Sequence, residues 1–94
     1  MDIDFEWDEG KRLRVLRERG LDFIDGTLLF DGRQMLTVPS GRGTEERWLS
    51  IGDVNGRLVA VIWTERNEAI RIVTMRRARH GEERHYRALF NQAT

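Results

Sequence analysis

Six arginines, two histidines and a tyrosine fall within residues 70–87 of this 94-residue chain: Arg71, Arg76, Arg77, Arg79, His80, Arg84, His85, Tyr86 and Arg87. A guanidinium is planar, charged at any working pH and able to grip two phosphate oxygens at once, so such a cluster is first of all a phosphate site. The polyanion most consistent with it is nucleic acid. Chemistry at a phosphate needs reacting atoms held in line, cations for the charged transition state, and groups that move protons. Arginine meets the second need. Imidazole is the side chain that titrates near neutrality, which makes His80 and His85 candidates for acid or base, against the ordinary role of solvated residues at a helix end.

Sixteen basic and sixteen acidic residues cancel in sum but not in place. Residues 1–31 carry nine acids against five bases, residues 32–68 five against five, and residues 69–94 six bases against two acids, so the C-terminal end is the positive pole. Fifteen of the bases are arginine and only Lys11 is lysine, a ratio that codon bias explains as readily as selection for bidentate contacts. Cysteine is absent, which excludes disulfides and thiolate metal sites, and the histidines and carboxylates show no metal-ligand spacing. No cofactor is expected. The length suits one domain spanning 1–94. The start, Met1-Asp2-Ile3-Asp4, is acidic, and no apolar run approaches the roughly 20 residues that cross a bilayer, so a soluble cytoplasmic protein without a membrane partner is expected.

These side chains must be positioned by a small set of elements. Ile3, Phe5 and Trp7 alternate with Asp4, Glu6 and Asp8, the period of a half-buried strand. Asp8 can cap a helix over residues 9–19 that Gly20 ends, with Leu13, Leu16 and Val15 inward and Lys11, Arg12, Arg14, Arg17 and Glu18 on a solvated face. A shorter helix is expected from Asp22, carrying Phe23, Ile24, Thr27, Leu28 and Phe30, with Gly26 against it. Residues 31–46 are turn-like, with a short strand at Met35–Val38. Arg47–Val54, Leu58–Glu65 and Ala69–Arg77 then read as an antiparallel meander, joined by Asn55-Gly56 and by Arg66-Asn67-Glu68. Glu82–Phe90 closes the chain as a helix with Tyr86, Leu89 and Phe90 inward. The fold class is α+β, with two helices against one sheet face.

On that frame Arg76 and Arg77 occupy successive strand positions and point to opposite faces, so one of them can line a site and the other cannot. Either can also form an ion pair with Glu45, Glu46 or Glu65. Arg47 and Glu65 fall on neighbouring strands where they can face the same side, as a catalytic pair or as an ordinary cross-strand pair. Arg71, Arg77, Arg79 and His80 are the remaining candidates for contact with nucleic acid. Trp48 and Trp63 can stack on a base, although burial in the sheet is the ordinary role.

Phe5-Glu6-Trp7-Asp8, Gly20, Phe23, Glu46-Arg47-Trp48-Leu49-Ser50-Ile51-Gly52, Trp63-Thr64-Glu65-Arg66, Ile70-Arg71-Ile72-Val73 and Arg76-Arg77-Ala78, in this order and spacing, resemble the BrnT family of toxins over nearly the whole chain. The resemblance implies a RelE-like fold and a ribonuclease toxin of a type II toxin–antitoxin pair that inhibits translation. It also implies RNA as substrate, a BrnA-like ribbon-helix-helix antitoxin as partner, and DNA contact only through that antitoxin. Arg76 matches a recurrent family position, and Glu82 and Tyr86 match a Glu-x-x-x-Tyr spacing. The catalytic set expected from the residues and the resemblance together is therefore Arg76, Arg47, Glu65, Glu82 and Tyr86. Where relatives carry a histidine at the end of the first helix this chain has Arg19, which can bind phosphate but is a poor proton shuttle. The alternative expectation is thus a catalytically silent module of the same fold that binds RNA or antitoxin.

Overall fold

Asp8 and Gly20 set the limits of the first helix. In the computed structural model, which describes residues 2–41 and 46–90, α1 spans Glu9–Arg19. Asp8 Oδ1 accepts the Lys11 backbone N–H at 2.9 Å, and Gly20, at φ 70°, returns its own N–H to the Leu16 carbonyl. The inward row differs from the expected one. Lys11, Arg12, Val15 and Leu16 are buried or half-buried while Leu13 is 48% exposed. Residues two apart on a helix lie about 200° apart, so Val15 and Leu13 cannot share a face, and the packing selects Val15.

The next turns tighten. Asp22 caps α2 (Phe23–Gly26), and the chain then runs as a 3-10 turn over Thr27–Phe30 instead of continuing as one helix. Three residues per turn bring Gly26 and Leu29 to the same side. Phe23 and Leu29 become the buried anchors, at 0% and 1% exposure, while Ile24 reaches solvent.

A five-stranded sheet follows in the order β1-β5-β4-β3-β2, with β1 at Phe5–Glu6, β2 at Leu36–Pro39, β3 at Trp48–Val54, β4 at Arg57–Arg66 and β5 at Ala69–Arg77. The meander is antiparallel as expected, and Asn55 and Gly56 both adopt the positive φ that their hairpin demands. Only Phe5 and Glu6 of the expected first strand pair, and they pair parallel to Ile70 and Arg71, which makes the sheet mixed. A register shift at Ile62/Trp63 moves the pairing from Ile62↔Thr74 to Trp63↔Ile72 and leaves Val73 as a bulge. The bulge resets alternation. Arg71, Thr74 and Arg76 therefore share one face of β5 although Arg71 and Arg76 are five residues apart.

One face of the sheet carries the core: Val15, Leu21, Phe23 and Leu29 from the helical side pack on Val54, Val59, Val61, Ile72 and Met75. Trp63 belongs here, edge-on to Phe30 and donating its indole N–H to Ser50 Oγ at 2.8 Å. The opposite face is crossed at one end by α3 (His80–Phe90), which contacts β3 and starts two residues earlier than expected. Its sheet-facing row is Glu82, Glu83, Tyr86 and Phe90, all half-buried, and Leu89 at the margin is 53% exposed instead of inward. Helices thus lie on both faces.

Gly52 lies where Leu29 meets β3, and a Cβ there would stand 2.6 Å from Leu29 Cδ2 and 3.3 Å from the Gln34 carbonyl oxygen. Gly52→Ala is expected to cost about 1–3 kcal/mol by overpacking, read as a lower urea midpoint at unchanged m-value.

Candidate nucleic-acid interface

The half of the opposite face that α3 leaves open forms a cationic cleft. Its deeper part, about 320 Å³, is lined by Asp8 and Lys11 of the α1 start, Arg47, Thr64 and Arg66 of β4, and Arg71, Ile72 and Val73 of β5. A shallower part of about 490 Å³ shares Lys11, Arg47 and Val73 and adds Ser40, Gly41, Ile62 and Thr74. Four cations against one carboxylate line the deeper part, a concentration of charge that raises the local density of anions.

Each wall has a local cause. β1 pairs only with Ile70 and Arg71, so beyond them the edge of β5 meets α1, and the row Lys11, Val15, Arg19 at i, i+4, i+8 runs along it. Val15 is buried and its two cationic neighbours lie at the row's ends. Arg47 precedes β3 opposite Thr64, whose hydroxyl donates to the Glu46 carbonyl. Arg47 Nε is buried and has no hydrogen-bond partner among the described residues. A buried donor left unpaired costs about 1–3 kcal/mol, so this one is a place where an acceptor is due. Arg71 is steadied from β1 by Glu6 at 3.3 Å. Burial, then Arg14 and Arg47, push the Lys11 ammonium below its ordinary 10.5, with Asp8 opposing and Arg19 adding to the effect.

The expected catalytic set is divided by this geometry. Arg47 and Arg71 line the cleft. Arg76 lies farther along the same face and is held by Glu82 in two parallel bonds of 2.8 Å each. Glu82 also accepts the Arg79 N–H, and the Arg76 pairing draws its carboxyl from 4.5 down to about 2. The ion-pair partner of Arg76 is thus Glu82, not Glu46 or Glu65, and Glu45 lies outside the described residues. Tyr86 packs against Phe90 on α3, ring centroids 4.9 Å apart and tilted by 53°, and Arg79 and His80 are exposed where that helix begins.

One expectation is corrected by the register. Trp48 pairs with Trp63, so Arg47 stands opposite Thr64, and Glu65 points to the other face from Arg47. They do not form a pair. Arg77, opposite Val59, points to the core-side face, exposed at its rim, while Arg76 lies on the cleft side, as alternation requires. Arg19 lines neither part of the cleft. Its Nη1 donates to the Met75 carbonyl at 2.8 Å and lies 3.4 Å from Thr74 Oγ1, so it ties the end of α1 to β5. The cleft residues that sequence reasoning passed over are Lys11, Arg66, Asp8, Thr64 and Thr74. A lone lysine in an arginine-rich chain was the available signal for the first.

Among the described residues no group of three or more histidine, aspartate or glutamate side chains is placed to hold a metal ion, and no helix is long and apolar enough to cross a membrane.

A mixed sheet with an open face, a cationic cleft and an arginine whose buried nitrogen lacks an acceptor among the described residues define a small α+β protein with a cleft whose charge suits an anion. Residues 7–82, most of the chain, match the family described as ribonuclease toxin, BrnT, of type II toxin–antitoxin systems, and the chain belongs to that family. Ribonuclease activity, an RNA target and an antitoxin partner come with that membership. The matched span contains every residue of the cleft and ends at Glu82. No individually curated protein matches the chain.

Proposed function

We propose that this protein is a metal-independent endoribonuclease that cuts RNA in the Arg47 cleft, arrests translation in the cytoplasm, and is neutralised by a BrnA-like ribbon-helix-helix antitoxin. The observation that carries the reading is the buried Arg47 Nε, which has no hydrogen-bond partner among the described residues and lies between the two parts of the cleft. A phosphate oxygen is the acceptor it lacks. Arg47, Arg66 and Arg71 then surround the scissile phosphate and offset the charge that builds on its oxygens as the 2′-oxygen attacks, leaving a cyclic phosphate and a free 5′-hydroxyl. These cations do the electrostatic work that a divalent metal does in other nucleases. Arg76 and Glu82 act as a clamp that fixes the start of α3 on the sheet beside the cleft, and Arg79 and His80 extend the positive surface along the RNA. Arg19 is engaged with β5 and lines neither part of the cleft.

Purified protein should cleave RNA in excess chelator and release ends with a cyclic phosphate. Intact RNA with salt-sensitive binding retained would point to the silent module instead. If three arginines replace counterions on a single strand, log K should fall against log salt with a slope of about −2, measurable by titration at several salt concentrations. A neighbouring reading frame with ribbon-helix-helix pattern supports the antitoxin assignment; copurification of its product checks it.

A further inference from the structure

We propose that Lys11 is the group that takes the proton from the attacking 2′-hydroxyl, a role that rests on the cleft being the cutting site. Lys11 is the chain's one lysine beside fifteen arginines. Every other cation that lines the cleft is a guanidinium, which stays charged and can only bind. The single departure from that pattern is the one basic side chain able to give up its proton.

Its placement suits the task. Lys11 lines both parts of the cleft and shares each of them with Arg47. Its backbone is fixed by the Asp8 cap, and it sits in the first turn of α1, where the helix dipole disfavours a positive charge. Among the described residues the charged groups around it are Asp8, Arg14 and Arg19 from α1 and its cap, Arg47 before β3, Arg66 of β4 and Arg71 of β5. Asp8 alone favours the ammonium, while burial and the neighbouring cations release its proton below the ordinary range. The other candidates are elsewhere: His80 and His85 are exposed on α3.

With a phosphate held at Arg47, the neutral Lys11 amine removes the 2′-hydroxyl proton and the 2′-oxygen bonds to phosphorus. The bond from phosphorus to the 5′-oxygen breaks, that oxygen takes a proton from solvent water, and the Lys11 ammonium later returns its proton to solvent. The cleft is open enough to admit that water.

Lys11→Arg separates charge from proton transfer. It is expected to bind an uncleavable 2′-deoxy substrate within about threefold of the unchanged protein. Single-turnover cleavage should drop by roughly 100-fold or more, and the limb of the pH–rate profile that rises toward alkaline pH should vanish. Lys11→Ala should be slow and should be accelerated by added ethylamine in proportion to its free-amine fraction. Cleavage by Lys11→Arg within threefold of the unchanged protein overturns the proposal, as does a loss wholly explained by weaker binding or an unaltered pH profile in both variants. If the unchanged protein leaves RNA intact, it is the cutting-site reading that fails, and that is seen before either variant is compared.

Discussion

Arg47→Ala should slow RNA cleavage by roughly 100- to 1,000-fold while the fold stands. Truncating a half-buried arginine ordinarily breaks hydrogen bonds and strands a partner, but among the described residues Arg47 forms no ion pair and its Nε is a buried donor without a hydrogen-bond partner. Removing that donor takes away a cost of the folded state, so stability should change by less than about 1 kcal/mol in either direction. The catalytic loss comes from a different state. As the 2′-oxygen attacks, charge accumulates on phosphate oxygens in a confined site, where a pre-placed donor is worth more than in water. Arg47→Lys keeps the charge without the planar fork and should recover part of the rate. Single-turnover cleavage and thermal unfolding on the same preparations check both halves. A variant that unfolds early, or one that cleaves within tenfold of the unchanged protein, would remove Arg47 from the centre of the site.

The fold was largely legible because its signals are local. Asp8 and Gly20 bound a helix by capping chemistry, and Asn55-Gly56 announces its hairpin by a φ requirement that few other pairs meet. The parallel docking of β1 on β5 was not legible, since it depends on two elements more than sixty residues apart. The site was legible in chemistry and less so in geometry. Guanidiniums do line the cleft, but the bulge at Val73 breaks the period of two, so counting residues along β5 misassigns Arg71 relative to Arg76. The choice between inward rows on α1 mattered as much. Taking Leu13 as inward puts Lys11 in solvent, whereas the row through Val15 brings Lys11 to the cleft and Arg19 to the β5 backbone. Hydrophobicity favoured the wrong leucine because α1 packs at a sheet edge, where one small residue fills the contact and long cations cover the rest.

Arg76→Ala should lower stability by about 2–3 kcal/mol, less than the 3–5 kcal/mol of a deeply buried pair, because the two side chains remain about one-fifth exposed. The loss comes mainly from the Glu82 carboxylate, left half-buried with only the Arg79 N–H to hold it. The same pair sets a pH signature. The folded Glu82 carboxyl titrates at about 2 against an ordinary 4.5, so its stabilisation is present above pH 4.5 and is lost as pH falls from there toward 2. Glu82→Gln should therefore be less stable than the unchanged protein at neutral pH and should lose less stability across that acid window. Reduced cleavage in Arg76→Ala alone is ambiguous, since an unfolding clamp and a missing catalytic cation both lower activity. Arg76→Ala/Glu82→Ala separates them. It removes the stranded carboxylate along with its partner, so stability should recover part of the single-variant loss, a positive coupling in the double-mutant cycle. If Arg76 is a clamp, cleavage per folded molecule at low temperature should then lie within about tenfold of the unchanged protein. Cleavage that stays down by 100-fold in a folded double variant would make Arg76 a catalytic cation after all, with Glu82 its guard in the absence of RNA.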